Sequence, residues 1–176
     1  NYIKEKKFWL IYLPIVVSLL SLFGFIFFRN LFFLIFFACN VYHVTRQSFG
    51  ICKLYCERTN ERKFQEILIY VVNFIFFIIA YLRFYISMIN ENNMMIMNIL
   101  VSLLVLIIFI VYIIRFGFSK NFLTFVTGCI IFSPVCFVDH PVHAIIMGVT
   151  MHYSQYIYLT YFIYKKREEE AFEHQN

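Results

Sequence analysis

Two histidines of this chain lie inside apolar segments, and each is followed by polar residues at helical spacing. The two sets are His43, Arg46 and Gln47 in one segment, and His152, Gln155 and Tyr156 in the other. Residues three and four positions apart share one face of a helix, so each set forms a polar stripe. Ionisable side chains at membrane depth are costly and commonly mark functional sites. We therefore predict a shared site built from both stripes.

Imidazole chemistry points to a metal. Neutral imidazole is a good ligand for iron, zinc or copper, and a glutamine or a carbonyl can orient its second nitrogen. We predict that His43 and His152 are metal ligands and that Gln47 and Gln155 orient them. The expected metal is non-haem iron or zinc.

Arg46 and Tyr156 complete the predicted catalytic set. Arg46 would bind an anionic group or a helix carbonyl, since an arginine within a span is costly unless it reaches the interface. A structural role stays open for both stripes, because histidine and glutamine also form hydrogen bonds between helices.

His140 and His143 are further candidate ligands at the start of the last apolar segment. His143 and His152 are nine residues apart, which is about 14 Å on a straight helix, so one metal could not bind both without a break. The structural alternative is that Asp139 or His140 caps a helix whose first residue is Pro141.

Two short segments resemble a known enzyme family. Phe37–Gln47 resembles the His-Ser-x-Arg-His segment of the bacterial Brp/Blh-type carotene-cleaving membrane oxygenases, and Gly148–His152 is similar to the histidine-bearing last helix of that family. The resemblance implies a polytopic all-helical protein in which histidines bind non-haem iron and oxygen cleaves an apolar polyene or lipid. The residues of this chain that match the motifs of the family are His43, Arg46 and His152.

Composition places the chain in a membrane. Of its 176 residues, 62% are hydrophobic and 14% are charged, against about a quarter charged in ordinary soluble domains. This size allows one compact bundle, so we expect residues 1–176 to form a single integral membrane domain. The chain begins with Asn1 and not with methionine, which suggests a fragment or a processed start with helices and ligands upstream.

The chain offers six apolar runs of the length that a membrane-spanning helix needs, about 20 residues with a lower limit of roughly 17. We predict an all-α bundle of six transmembrane helices. Their approximate bounds are 8–28, 31–50, 66–86, 94–115, 122–138 and 141–164.

Basic residues indicate the orientation, because cytoplasmic connections are enriched in Lys and Arg. Six crossings with both termini in the cytoplasm place 13 of the 15 basic residues on the inner side. The inner residues are Lys4, Lys6, Lys7, Arg46, Lys53, Arg58, Arg62, Lys63, Arg115, Lys120, Lys165, Lys166 and Arg167. The two basic residues on the outer side are Arg29 and Arg83. We therefore expect an integral protein of a bacterial inner membrane.

Three other polar side chains lie within the predicted spans. We expect Asn73 and Asn98 to form hydrogen bonds between helices. Arg83 lies near the outer end of its helix and is expected to snorkel towards the interface. Pro134 is expected to kink the fifth span, with neighbours satisfying the freed carbonyl.

These observations predict a metal-dependent membrane oxygenase or related oxidoreductase that acts on a lipid-soluble small molecule. The alternative is a non-enzymatic membrane subunit or a small-molecule transporter with a polar core between helices. Membrane lipid is the expected partner, since anionic lipid and the orientation rule account for the net charge of +5 without a nucleic acid.

Overall fold

The computed structural model describes residues 8–86 and 90–173, and every regular element among them is helical. The predicted all-α class with six helices is confirmed. The predicted inner residues Lys4, Lys6 and Lys7 lie outside the described residues. The six helices are α1 (Leu13–Phe27), α2 (Arg29–Tyr55), α3 (Thr59–Ala80), α4 (Glu91–Phe116), α5 (Lys120–Ile130) and α6 (Pro141–Glu173).

Three shorter helical segments adjoin these helices. A π-helical turn, Phe8–Tyr12, leads into α1, and a second one, Tyr81–Tyr85, continues α3. A 3₁₀ turn, Ser133–Cys136, lies between α5 and α6. Within the described ranges, two helical segments are long and apolar enough to cross a membrane, Thr59–Tyr85 and Asn93–Phe116. The six-span topology stays a prediction.

The chain forms two compact units, residues 1–39 and residues 40–176. In the first unit, the ring of Phe25 contacts the rings of Phe32 and Phe33 edge to face, with centroids 6.1 and 5.8 Å away. The second unit contains all the candidate site residues. The prediction of one integral membrane domain is not tested by this division.

Local sequence signals explain where α4 begins and ends. The side chain of Asn90 accepts a hydrogen bond from the backbone N–H of Asn93 at 2.9 Å, which satisfies one free donor of the first turn. The helix ends at Gly117, whose φ of +86° is readily adopted only by glycine. The N–H of Gly117 donates to the carbonyl of Ile113 at 2.9 Å.

Within the second unit, α3 packs against α4, α5 and the 3₁₀ turn. Its buried face includes four residues spaced four apart, Glu61, Gln65, Ile69 and Asn73, so three polar side chains point into the protein. The partner element α5 is only 11 residues long and ends at Ile130. The chain then passes through the 3₁₀ turn, so several backbone carbonyls lack helical partners.

Side chains of α3 and of the π-helical turn that continues it donate hydrogen bonds to backbone carbonyls along α5 and the 3₁₀ turn. The three pairs are Gln65 Nε2 with Asn121 O at 3.4 Å, Asn73 Nδ2 with Gly128 O at 2.9 Å and Arg83 Nη1 with Val135 O at 2.9 Å. Residue numbers increase together in both members of these pairs. The two elements therefore run in the same direction.

Asn98 of α4 completes this set of bonds by donating to the carbonyl of Cys136 at 2.9 Å. The predicted hydrogen bonding between helices by Asn73 and Asn98 is confirmed. The guanidinium of Arg83 donates to the carbonyl of Val135 and forms an ion pair with the exposed Asp139, both at 2.9 Å. The expectation that Arg83 snorkels to the interface stays a prediction.

Gly148 allows α6 to approach the segment before the 3₁₀ turn. A Cβ atom at this position would lie 3.0 Å from the ring of Phe132 and 3.2 Å from the carbonyl oxygen of Ile131. A backbone oxygen cannot move aside as a flexible side chain can. At Gly50 of α2, by contrast, an added Cβ would meet no atom within 4 Å.

We predict that Gly148→Ala lowers the free energy of unfolding by about 1–3 kcal/mol, because it overpacks this contact. The matched variant Gly50→Ala should raise it by about 0.5–1 kcal/mol, because alanine favours a helix more than glycine does. Denaturant titration of the purified protein in detergent measures both values. Equal effects of the two substitutions would contradict the close contact at Gly148.

Candidate functional site

One face of α2 and one face of α6 enclose a cavity of about 250 Å³, which we call the histidine cavity. Each helix contributes four residues at the spacing i, i+3, i+4 and i+7, which is one continuous helix face. The lining residues are Asn40, His43, Val44 and Gln47 of α2 and Val149, His152, Tyr153 and Tyr156 of α6.

The two helices run in the same direction at this cavity. His43 and His152 are close enough to interact electrostatically. About one turn further along both helices, the hydroxyl of Ser48 donates a hydrogen bond to Oε1 of Gln155 at 3.4 Å. Residue numbers again increase together, which is the order expected of parallel helices.

The two histidines of the cavity differ in burial. His43 is exposed, whereas His152 keeps only 5% of its surface exposed. The ring of His152 contacts that of Tyr156 edge to face, with centroids 4.8 Å apart and planes at 69°. Nδ1 of His152 is buried and has no hydrogen-bond partner among the residues that the structure describes.

Of the four residues in the predicted catalytic set, two line the histidine cavity and two do not. Gln47 and Tyr156 line the cavity, as the stripes predict. Gln155 uses its carbonyl oxygen to accept the hydrogen bond from Ser48, so this oxygen is engaged away from the imidazoles. Arg46 is exposed and interacts electrostatically with Tyr70 of α3, on a different side of α2 from the cavity lining.

His140 and His143 lie together at the start of α6, apart from the cavity lining. Both are exposed, and their ring centroids are 5.6 Å apart. Nδ1 of His140 accepts a hydrogen bond from the backbone N–H of Val142 at 3.3 Å, so His140 caps the helix. Asp139 is engaged by Arg83.

The donor set of the cavity is small for a metal centre. Catalytic zinc sites use three protein ligands, and a ligating histidine almost always donates its other N–H to an acceptor. Within residues 8–86 and 90–173, no three side chains of His, Cys, Asp or Glu lie close enough to hold one ion. His43 and His152 would supply two ligands, and Nδ1 of His152 lacks the expected acceptor among the described residues. The described residues therefore do not fit a three-ligand centre.

The sequence stripes omitted half of the cavity lining: Asn40, Val44, Val149 and Tyr153. Asn40 and Val149 lie three residues before the two histidines, on the same helix faces. This spacing could have identified them. Asn40 is polar and extends the α2 stripe by one turn, whereas Val149 gives no polar signal.

A second polar cluster lies at the beginning of α3. The carboxylate of Glu61 is buried, and Oε1 accepts hydrogen bonds from the hydroxyl of Tyr112 at 2.5 Å and from Nδ2 of Asn121 at 3.1 Å. Gln65 donates to the same hydroxyl at 2.8 Å. Sequence reasoning missed Glu61 because it stands in a polar connection; its four-residue spacing from Gln65 was the available signal.

A polar cavity of about 200 Å³ borders this cluster. Its lining residues are Tyr55, Glu57, Arg58, Glu61, Phe116, Ser119 and Asn121. Cys56 lies nearby, and its burial, followed by the charge of Glu61, raises the pKa of its thiol above the usual range. A raised pKa leaves little reactive thiolate at neutral pH, so Cys56 has the properties of a structural cysteine.

Comparison with known proteins gives no assignment: no protein-family model, curated protein or solved structure matches the chain. The resemblance to the carotene-cleaving oxygenases therefore stays a prediction, and function has to be argued from the histidine cavity.

Proposed function

We propose that this chain is a multi-pass membrane protein that binds a small membrane-soluble molecule in the histidine cavity. The observation that carries the proposal is the pairing of two helix faces with the same spacing around one cavity, each bearing a histidine. A pocket that combines mostly apolar walls with a few polar groups is typical of small-molecule sites. Binding by the cavity corresponds to the non-enzymatic alternative drawn from the sequence.

The apolar surface supports a membrane location. Ile114, Ile157 and Phe74 expose 80%, 70% and 61% of their surface. Soluble monomers rarely expose large contiguous apolar patches, whereas lipid-facing helices do so as a rule. The parallel direction of α2 and α6, and of α3 and α5, is what six alternating crossings would require. The inner membrane of a bacterium is the location favoured by the basic residues.

The lining suggests how a ligand would be held. Val44, Val149 and the rings of the two tyrosines provide apolar walls for the body of the molecule. His43, Gln47 and His152 provide hydrogen-bonding groups that would fix its orientation. Because such groups are few and the surrounding medium is lipid, the bound molecule would be largely apolar with one or two polar atoms.

A metal-dependent oxidoreductase is the second candidate function, and the two imidazoles on one cavity favour it. His43 and His152 would hold a non-haem iron or zinc ion, which would supply redox or Lewis-acid chemistry to a lipid-soluble substrate. Further ligands would have to come from outside the described residues or from the bound molecule.

Photolabelling with a small membrane-soluble aryl diazirine tests the binding proposal. We expect labelling to concentrate on residues 40–47 and 149–156, as located by peptide mass spectrometry, because the cavity retains the probe. Val149→Phe should fill the cavity and reduce this labelling several-fold. The matched variant Ile157→Phe, at an exposed position outside the lining, should leave it unchanged. Uniform labelling of all apolar surfaces, insensitive to Val149→Phe, would contradict the proposal.

Single-cysteine labelling tests the topology. After replacement of the five native cysteines by alanine, we expect an impermeant maleimide to label Ile86→Cys on intact bacterial cells, because this position lies at the predicted outer end of its span. Thr59→Cys, at the predicted inner end, should react only after permeabilisation. Labelling of Thr59→Cys on intact cells would contradict six crossings with cytoplasmic termini.

Metal analysis of the purified protein separates the two candidate functions. If the cavity binds a small molecule without a metal, we expect far less than one equivalent of iron or zinc, because the described residues that line it include two histidines, fewer than the three ligands of a catalytic zinc site. One equivalent that is lost in His43→Ala and in His152→Ala, in protein that stays folded by circular dichroism, would instead establish the oxidoreductase candidate.

A further inference from the structure

We propose that the molecule in the histidine cavity is a lipid-soluble carbonyl compound whose oxygen accepts a hydrogen bond from Nε2–H of His152. This inference rests on the proposed function and specifies the chemical class of the ligand. It also assigns to His152 a role as hydrogen-bond donor in place of the predicted role as metal ligand.

Burial distinguishes the two ring nitrogens of His152. Only 5% of the surface of this residue is exposed, and the ring lines the cavity. Nδ1 is buried and lacks a partner within the described part of the chain. Because the ring lines the cavity and Nδ1 is enclosed, we take Nε2 as the nitrogen that meets a bound molecule.

The location of the proton follows from this difference. A neutral imidazole carries one N–H donor and one acceptor nitrogen. Buried N–H groups without an acceptor are rarer in proteins than acceptors without a donor, so the unpartnered Nδ1 is best left unprotonated. A charged imidazolium would bury an unpaired donor and a charge, which is costlier still. The neutral form with the proton on Nε2 is therefore favoured, and it presents a donor to the cavity.

This tautomer also limits metal binding. An Nε2 atom that carries a proton has no free lone pair for an ion, and the lone pair of Nδ1 is enclosed in the protein. Coordination through Nε2 would move the proton to Nδ1, where no acceptor among the described residues receives it. The enclosed, unpartnered Nδ1 therefore makes His152 a poor metal ligand and a suitable hydrogen-bond donor through Nε2.

The surroundings of Nε2 select a carbonyl among possible acceptors. Close to the ring lie Val149, Tyr153 and Tyr156, which offer mainly apolar surface. A hydroxyl group would bring its own proton, which needs a second acceptor, and the groups that could accept it, His43 and Gln47, belong to the opposite helix. A ketone, aldehyde or quinone oxygen only accepts, so the one hydrogen bond from His152 is sufficient for it.

Cyclohexanone and methylenecyclohexane, which differ only by C=O against C=CH₂, test the proposal. Their affinities for the full chain in lipid nanodiscs are measured by saturation-transfer NMR, with empty nanodiscs as blank. We expect the ketone to bind about three- to tenfold more tightly, which is the usual effect of one neutral hydrogen bond. His152→Phe should abolish this preference, whereas Tyr158→Phe, at an exposed position outside the cavity lining, should preserve it.

The outcomes separate the two proposals. Equal affinities of the two probes in the wild-type chain would overturn the carbonyl assignment and leave the binding function intact. Absence of saturable binding for both probes, together with diffuse diazirine labelling, would overturn the binding function itself. A ketone preference that persists in folded His152→Phe would also overturn the role of His152.

A second measurement reports the protonation of His152 directly, with His152→Phe used to assign its signals among the five histidines of the chain. Nitrogen-15 NMR of histidine-labelled protein reports which ring nitrogen carries the proton. We expect His152 to show the neutral form protonated at Nε2, and the ketone to shift the Nε2 resonance while methylenecyclohexane leaves it unchanged. A neutral form protonated at Nδ1, or a charged ring at neutral pH, would overturn the inference.

Discussion

The need to pair free backbone carbonyls in the short fifth helix governs the arrangement of the second unit. Because α5 ends at Ile130 and Pro134 has no N–H, this segment cannot satisfy its own backbone as a regular helix would. Asn73, Arg83 and Asn98 supply the missing donors. Breaking such a bond would leave a buried polar group without a partner, so these bonds fix how α3 and α4 lie against α5.

The same segment determines the position of the candidate site. Phe132 lies against Gly148, where the lack of a side chain allows α6 to come close. His152 follows one turn later on the same helix and is thereby held beside residues 40–47 of α2. The packing contact between Phe132 and Gly148 therefore determines the position of the α6 side of the histidine cavity. The arrangement of the cavity depends on how the segment between α5 and the 3₁₀ turn is packed.

Much of the site could be predicted because helical spacing is regular. Given two helices, His43 with Gln47 and His152 with Tyr156 must each share a face, and these four residues do line one cavity. Arg46 could not be assigned in this way, because it stands at the edge of its stripe and its neighbour Tyr70 comes from another helix. Partners that are distant in the chain have no spacing signal.

The sequence by itself determined the helical class, the number of helices and the residues that share each helix face, because these depend on local periodicity and on apolar run length. Tertiary structure alone decided that the α2 and α6 faces meet at one cavity. It also decided that Ser48 donates a hydrogen bond to the side-chain carbonyl of Gln155, and that Nδ1 of His152 is enclosed without a partner among the described residues. Such facts depend on contacts between residues more than 100 positions apart, which no local pattern encodes. The chemistry of His152 therefore follows from the nitrogen that the fold leaves accessible.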